Sequence, residues 1–367
     1  MASGVAARAA AAVRVATFNA SLTRGRPGDL LQDLRWGGDR QIHRVAEIIQ
    51  RVRPDLLLLN EVDYVAGGRA LAALQRNYLD VPHQDARALH LPYRFVAPSN
   101  TGVDSGLDLD GDGRLGGPGD ALGYGAFPGQ YAMALLSRYP LAVAGARTFR
   151  SLPWRDILDG LLPVAEGDGP WGSGCAQAIL PVSSKSHWDV PVSIGGRYLH
   201  LLCSHPTPPV FDGPRAVNAR RNHDEIRLWM DYLRPGAARY IVDDQGRPGG
   251  LESGARFVIL GDLNASPVEG TSMPGAIEQL LGHEAVDARV VPESPGGAEN
   301  DPGNPYARYH TADWRMRVDY VLPSSRGWAI VGGGVFWPSR SEPLAHLVAP
   351  GPASSDHRLV YLDLVLQ

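Results

Sequence analysis

Short apolar runs that stop on a polar side chain recur along this chain, and they constrain its fold more than any other feature. The fullest is Arg256-Phe-Val-Ile-Leu-Gly-Asp-Leu-Asn-Ala-Ser266. Its Phe257 to Leu260 portion has the length and composition of a strand buried on both faces. Asp262 and Asn264 follow two residues apart, so a continued extended backbone projects a carboxylate and an amide to one side. That pair can orient a water and hold an anionic oxygen, although Asp, Asn, Ser266 and Pro267 are also turn residues. The form returns at Val13 to Asn19, which ends on an amide, and at Asp55-Leu-Leu-Leu-Leu-Asn-Glu61, which ends on an amide and a carboxylate. Arg197 to His205 ends on an imidazole, and Pro206, Pro208 and Pro209 forbid the ladder from continuing. Any one of these could be a strand that merely turns. Their repetition favours a shared site at one edge of a sheet.

The C-terminal third adds two more groups. Asp319 stands inside the apolar strand Met316 to Leu322, where a carboxylate is costly unless paired, so a cationic or imidazole partner is expected. Ser354-Ser-Asp-His357 places an acid beside an imidazole at the entrance to the terminal strand Leu359 to Leu366. Between these runs, Ile42, Val45, Ile49 and Val52 fall at helical spacing, and Arg53-Pro54 stops that helix. Further helices are expected over 67–79, 215–233 and 273–282, and strands over 131–137 and 141–148. Arg220, Arg221, His223 and Arg227 of the third helix read as a solvated face. Long loops are expected over 82–130, 150–184 and 291–305. A loop as long as the first is uncommon unless functional or braced. It contains Asp108-Leu-Asp110-Gly-Asp112-Gly113, the opening of a calcium-binding loop, but the twelfth position is Gly119 and Asp120 comes one place late. A Ca2+-stiffened loop on Asp108, Asp110 and Asp112 stands beside the alternative of a solvated turn.

Composition limits what the strand ends can serve. The 44% hydrophobic fraction and eight Trp residues supply ample core, and no internal composition break splits the 367 residues. We therefore expect a flexible N-terminal tail over 1–12 and one domain over 13–367. The net charge is −4, Lys185 is the only lysine, and there is no dense basic stripe, which weighs against tight non-specific nucleic-acid binding. No stretch approaches the ~20 apolar residues of a membrane span. Cys175 and Cys203 make no disulfide framework; one bridge is open to them, but Cys203 lies in an apolar strand and reads as a buried thiol. Localisation is left open.

Taken in order, Asn19, Asn60-Glu61, Ser204-His205, Gly261-Asp-Leu-Asn264, Arg317-Val-Asp-Tyr320 and Ser355-Asp-His357 resemble the endonuclease/exonuclease/phosphatase superfamily, the deoxyribonuclease I-like group. The similarity runs from about Val13 to Leu366. Asn60 stands where the family commonly has Gln, and Pro206 where a Leu is frequent. The resemblance implies a four-layer αββα sandwich with two packed mixed β-sheets and the site at one open end. It implies a Mg2+ ion, with Mn2+ or Ca2+ as alternatives, held by Asn19, Glu61 and Asp356. It further implies catalytic roles for His205, Asp262, Asn264, Asp319 and His357. Asp262 would orient and deprotonate a water, Asn264 would hold a non-bridging oxygen, and His357, oriented by Asp319, would donate a proton with His205 assisting. Gln130, Lys185, His187 and Trp188, near strand ends and long loops, are expected at a substrate rim. The expected function is hydrolysis of a phosphate ester of small or medium size. A DNA or RNA nuclease is the alternative within the family, and a non-catalytic binding module the alternative outside catalysis.

Overall fold

The computed structural model describes residues 12–234, 236–349 and 354–367, so the expected tail over 1–12 lies outside them except for Ala12. Eleven strands are present among these residues. In chain order they are β1 (Val13–Leu22), β2 (Leu56–Val62), β3 (Tyr93–Phe95), β4 (Met133–Ser137), β5 (Arg147–Thr148) and β6 (His187–Ile194). They continue as β7 (Arg197–Ser204), β8 (Phe257–Asp262), β9 (Asp319–Pro323), β10 (Trp328–Val335) and β11 (Val360–Leu366). One sheet is ordered β10-β11-β1-β2-β4-β3 and the other β5-β6-β7-β8-β9. Each contains a single parallel pair, β1 with β2 and β7 with β8, and is otherwise antiparallel.

Each parallel pair needs a crossover, and helices supply both. The helices α1 (Asp29–Trp36) and α2 (Arg40–Val52) carry the chain from β1 to β2. The Asp39 carboxylate accepts from the Ile42 backbone N–H to start α2, and Arg53, in the left-handed conformation, closes it before Pro54. The helix Val217–Tyr232 lies between β7 and β8. β1 and β2 pack on β8 across the interface between the sheets, with β9 against β1 and β11. One core joins the facing sides of both sheets to α1 and α2; a second lies between the other face of the smaller sheet and the helix Val217–Tyr232. The result is the expected sandwich, with sheets inside and helices outside.

This topology sends the functional residues to one end. The parallel strands β1, β2, β7 and β8 finish there with Asn19, Glu61, His205 and Asp262 on or just past them. The antiparallel neighbours begin there: Asp319 opens β9 opposite Asp262, and His357 precedes β11, whose Val360 pairs with Thr17. Glycine is obligatory at one crossing. Gly261 has φ 151°, and a Cβ there would stand 1.9 Å from the Ser204 carbonyl oxygen, so only Gly allows β8 to pass β7.

Several local expectations are corrected. Of 141–148, only Arg147–Thr148 pairs as a strand, since Val143–Gly145 makes a 3-10 turn with Val143 half-exposed at the sheet edge. The loop over 291–305 contains a helix, Pro295–Asn300, capped by the Ser294 hydroxyl accepting from Gly297 N–H, with Pro295 at the tolerated first position. In 273–282 only Glu278–Leu281 is α-helical, and in 67–79 the α-helix Arg69–Leu74 runs on as a π-turn to Leu79. Arg221 is not solvated. It is buried and donates to the carbonyls of Pro181, Val182 and Ser183 at 2.8, 3.0 and 3.1 Å. Cys175 and Cys203 are unpaired, the first exposed and the second buried.

Candidate active site

Asp262 is the hub. Its Oδ2 accepts from Asn19 Nδ2 at 3.1 Å and lies 3.3 Å from His205 Nε2 and 3.5 Å from His357 Nε2. Its Oδ1 accepts from the Asn264 backbone N–H at 3.0 Å. Asn60 reaches across the sheets to brace it, accepting from Asp262 N–H at 3.3 Å. Burial opposes ionisation of Asp262, but the His357 charge and the hydrogen bonds from His205 and Asn19 outweigh burial and hold its carboxyl well below the usual carboxylate range.

Behind His357 sits Asp319, whose Oδ2 accepts from Nδ1 at 2.9 Å, the partner expected for an acid inside an apolar strand. Burial works against the imidazolium, yet Asp319 and Asp262 together raise the His357 pKa to about 10. Burial raises Asp319 to about 6 despite that neighbour. At neutral pH His357 is therefore a cation between two carboxylates. His205 goes the other way: burial and the Lys185 charge lower it, so its imidazole is neutral. Its Nδ1 is buried without a hydrogen-bond partner among the described residues.

Strain gathers at the same place. Ser21, Glu61, Tyr131 and Asn264 all have positive φ, between 48° and 58°, a region that residues with a Cβ seldom occupy. The surrounding structure over-determines these positions, and such strain clusters at active sites. The outcome is that Glu61 presents its carboxylate with no hydrogen bond or ion pair among the described residues.

The donors fit a divalent cation. Ligand atoms of Asp262, Asp319 and His357 lie within 4.8 Å of one another, but a charged His357 occupies that space as the cation and has no lone pair to offer an ion, which leaves the donors on the other side of Asn19. Among the described residues, Glu61 has no hydrogen-bond partner, Asp356 is exposed with Oδ1 accepting from Ser21 Oγ at 2.9 Å, and Asn19 Oδ1 accepts one bond, from Ser21 N–H at 3.2 Å. Carboxylate and amide oxygens of this kind suit a hard ion.

Residues 16–357 match the endonuclease/exonuclease/phosphatase family. The chain belongs to that family. Among solved structures it is similar to an endonuclease/exonuclease/phosphatase from Beutenbergia cavernae, 18% identical with TM-score 0.54, over 98% of this chain and 72% of that one. It is also similar to the human Nocturnin catalytic domain with bound sulfate, 13% identical with TM-score 0.48, over 98% and 97% of the two chains. A third similar structure is sphingomyelinase C from Streptomyces griseocarneus, 16% identical with TM-score 0.47, over 96% and 99%. At 18% identity the first of these speaks to fold alone. None of the curated proteins matches the chain in sequence.

The expected rim of this family member is largely not a rim. Trp188 is buried in the core between the sheets, edge-on to Phe95. His187 is fully buried, donating from Nε2 to the Glu225 carbonyl at 2.9 Å while Nδ1 meets Ser183 Oγ at 2.7 Å; burial lowers its pKa to about 3. Gln130 is buried and braces loops, accepting from Ala126 N–H and donating to the Arg24 carbonyl. Both faces of the smaller sheet are covered, so the first residues of β6 are core whichever way they point. Lys185 is buried as well; burial lowers its pKa, and the carboxylates that oppose this are Glu225 first and then Glu61 and Asp262.

The acidic loop is corrected in one member. Carboxylates of Asp108, Asp110 and Asp120 come within 4.8 Å of one another, while Asp112 is exposed and accepts from Arg114 N–H. Asp108 accepts from Gly111 and Gly113 N–H, and Asp120 from Leu109 N–H, so the turn itself uses these oxygens.

One site residue escaped the sequence reading. Trp314, at the tip of a turn in which Ala312 bridges Met316, stands edge-on over His357 with ring centroids 4.6 Å apart, and is 43% exposed. Asp313 N–H donates to the Asp356 carbonyl and locks that turn to the site. An aromatic five residues before a buried acid was the available signal.

Proposed function

We propose that the chain is a divalent-metal-dependent phosphoesterase that hydrolyses a phosphate ester of a small or medium-sized substrate by in-line attack of water. One observation carries the reading: a buried, ionised Asp262 ringed by Asn19, His205 and a charged His357 at the common end of both sheets. Groups of opposite protonation state around one carboxylate are what acid–base chemistry at a single phosphorus requires.

Glu61, Asn19 and Asp356 would hold Mg2+, with Mn2+ or Ca2+ as substitutes, and when bound the ion supplies neutralisation of charge on the phosphoryl oxygens and a more acidic water. Asp262 orients the attacking water and receives its proton. A carboxyl held so low is a weak base, so orientation is the larger part of its role. Asn264 donates one amide hydrogen to the Pro206 carbonyl at 3.0 Å, leaving the second for a non-bridging oxygen. His357 carries the proton for the leaving oxygen, and Asp319 fixes its ring and keeps it charged. His205, neutral, assists from the opposite side by keeping its Nε2–H on Asp262.

A second reading, a nuclease, draws on Trp314, whose half-exposed ring beside His357 offers a base a stacking surface. The panel that tests both comprises sugar phosphates, nucleotides, a bis-aryl phosphodiester, lipid diesters and plasmid DNA, each with Mg2+, Mn2+, Ca2+ or EDTA. Metal-dependent turnover of the small esters is expected. Turnover of DNA with none on small esters would reverse the order, and a folded protein inert on every substrate would leave the binding module.

A further inference from the structure

Two histidines meet where α2 packs on the turn that follows Leu79. His43 lies in the first turn of α2 and His83 in the facing segment; their Nδ1 atoms are 3.3 Å apart, and the rings stand at 86° with centroids 5.0 Å apart. Each Nε2 is already committed. His43 Nε2 meets the Gly37 carbonyl at 2.8 Å, and His83 Nε2 meets the Tyr78 carbonyl at 2.9 Å. A carbonyl oxygen only accepts, so both Nε2 atoms carry a proton, and in a neutral imidazole the other nitrogen is then a bare lone pair. Two lone pairs therefore point into one gap, which takes either a proton or a metal ion to close it. Both rings are fixed there. Gly37, in the left-handed conformation that ends α1, and Asp39, which caps α2, set the start of the helix, and His43 N–H donates to the Asp39 carbonyl at 3.1 Å. Gln50, two turns further along α2, grips the segment that carries His83: Nε2 donates to the Leu79 and Val81 carbonyls at 2.9 and 2.7 Å, and Oε1 accepts from His83 N–H at 3.2 Å. His83 is buried and His43 partly exposed, with Tyr78 edge-on to His43 at 4.9 Å between centroids.

The spacing separates the two occupants. A proton shared between two imidazoles makes a charge-assisted bond, and such bonds are the short ones, under about 3 Å. Two nitrogens each about 2.0–2.1 Å from one tetrahedral ion stand about 3.3 Å apart. Burial and the neighbouring ring also lower the His83 pKa, against the proton. Glu47 acts the other way, but its Oε1 is taken up by Arg51 at 2.9 and 2.6 Å. A carbonyl on the far nitrogen of each ring is, finally, the usual outer support of a metal-bound histidine, which fixes its tautomer and orientation.

We infer that His43 and His83 chelate one divalent ion of the zinc class through their Nδ1 atoms, a metal site separate from the one at the strand ends. Among the described residues no third carboxylate, imidazole or thiol joins them in a cluster, so water completes the shell and the ion exchanges with solvent. Imidazole nitrogens suit Zn2+, Cu2+ and Ni2+, whereas Mg2+ takes oxygen and leaves them alone. The site therefore stands whether or not the phosphoesterase reading does. Its ion ties the start of α2 to the segment after Leu79, and a metal that binds only the folded chain stabilises it.

Calorimetric titration of the full chain with Zn2+, in saturating Mg2+ at pH 7, tests the site in wild type, His43→Gln and His83→Gln, with circular dichroism confirming that each is folded. Wild type is expected to bind one equivalent that both variants bind at least about tenfold more weakly. Zn2+ that displaces Mg2+ at the strand ends is common to all three proteins and drops out of the difference. A second measurement needs no variant. One equivalent of Cu2+ added to the Mg2+-loaded wild type is expected to give an electron paramagnetic resonance spectrum with coupling to two nitrogens. Zn2+ titrations that coincide in wild type and folded variants, or a copper spectrum without two coordinated nitrogens, would leave only a proton in the gap and overturn the assignment.

Discussion

Asp319 never needs to touch substrate for its loss to be felt. Its carboxylate holds His357 Nδ1 at 2.9 Å and is the largest influence keeping that ring charged against burial. Asp319→Asn preserves the shape and removes the charge, so His357 loses both its tautomer control and much of its proton affinity. Turnover is expected to fall by about 10^2 to 10^3, the usual worth of a positioned proton donor. Steady-state kinetics on the best substrate checks this, and a variant within about threefold of wild type would remove Asp319 from the account. Trp314 acts on the same ring from its open side. Trp314→Ala is expected to raise KM more than it lowers kcat if the ring stacks substrate, and to leave the melting temperature nearly unchanged because the indole is already half in water.

At the scale of elements, the start of β6 carries a pH dependence that can be worked out. His187 is buried neutral with its pKa lowered to about 3, against 6.5 for the ordinary side chain. Between those values the unfolded chain binds a proton that the folded one refuses. Its contribution is therefore fully present above pH 6.5 and is lost as pH falls toward 3, at about 1.4 kcal/mol per unit. Urea unfolding at pH 7 and pH 5 should show His187→Gln with a shallower acid-side loss than wild type, whatever its starting stability. Parallel slopes would mean His187 is not what couples folding to protons. Neighbouring strands supply a second case. Arg14 of β1 grips Asp363 of β11, its register partner, through Nε at 2.8 Å and Nη2 at 2.7 Å, and both are buried. Asp363→Ala leaves the guanidinium without that counter-charge and is expected to cost about 3–5 kcal/mol by chemical denaturation.

These elements also show what a sequence discloses. The strand ends were legible because apolar runs such as Phe257 to Leu260 are buried on both faces and stop where the polar residues begin. Asp319 announced its partner by the cost of standing in such a run, and His357 supplied it. His187 and Trp188 were misread as rim because nothing local tells an entrance to a covered sheet from an open edge. Arg220, Arg221, His223 and Arg227 read as a solvated helix face, and the acids interleaved with them drew no reading. Asp224 and Glu225 are instead buried acids that take Trp154 Nε1–H, Ser184 N–H and Thr207 N–H, partners 18 to 70 residues away. Contacts of that range leave no periodic trace.

For the whole molecule, two sheets are needed because neither holds the site alone. Asn19, Glu61 and His357 come from the larger sheet, and His205, Asp262 and Asp319 from the smaller. Asn60 stitches them, donating toward the Ser204 carbonyl at 3.5 Å and accepting from Asp262 N–H at 3.3 Å. No helix among the described residues is long and apolar enough to cross a membrane. The central claim is that a single carboxylate at this junction organises metal-dependent ester hydrolysis. The most direct measurement is kcat/KM for the best phosphate ester with saturating Mg2+, in wild type and Asp262→Ala, with circular dichroism confirming that both are folded. The account predicts a fall of about 10^3 or more, to the level seen in EDTA. A folded Asp262→Ala that keeps metal-dependent turnover within about tenfold of wild type would contradict it.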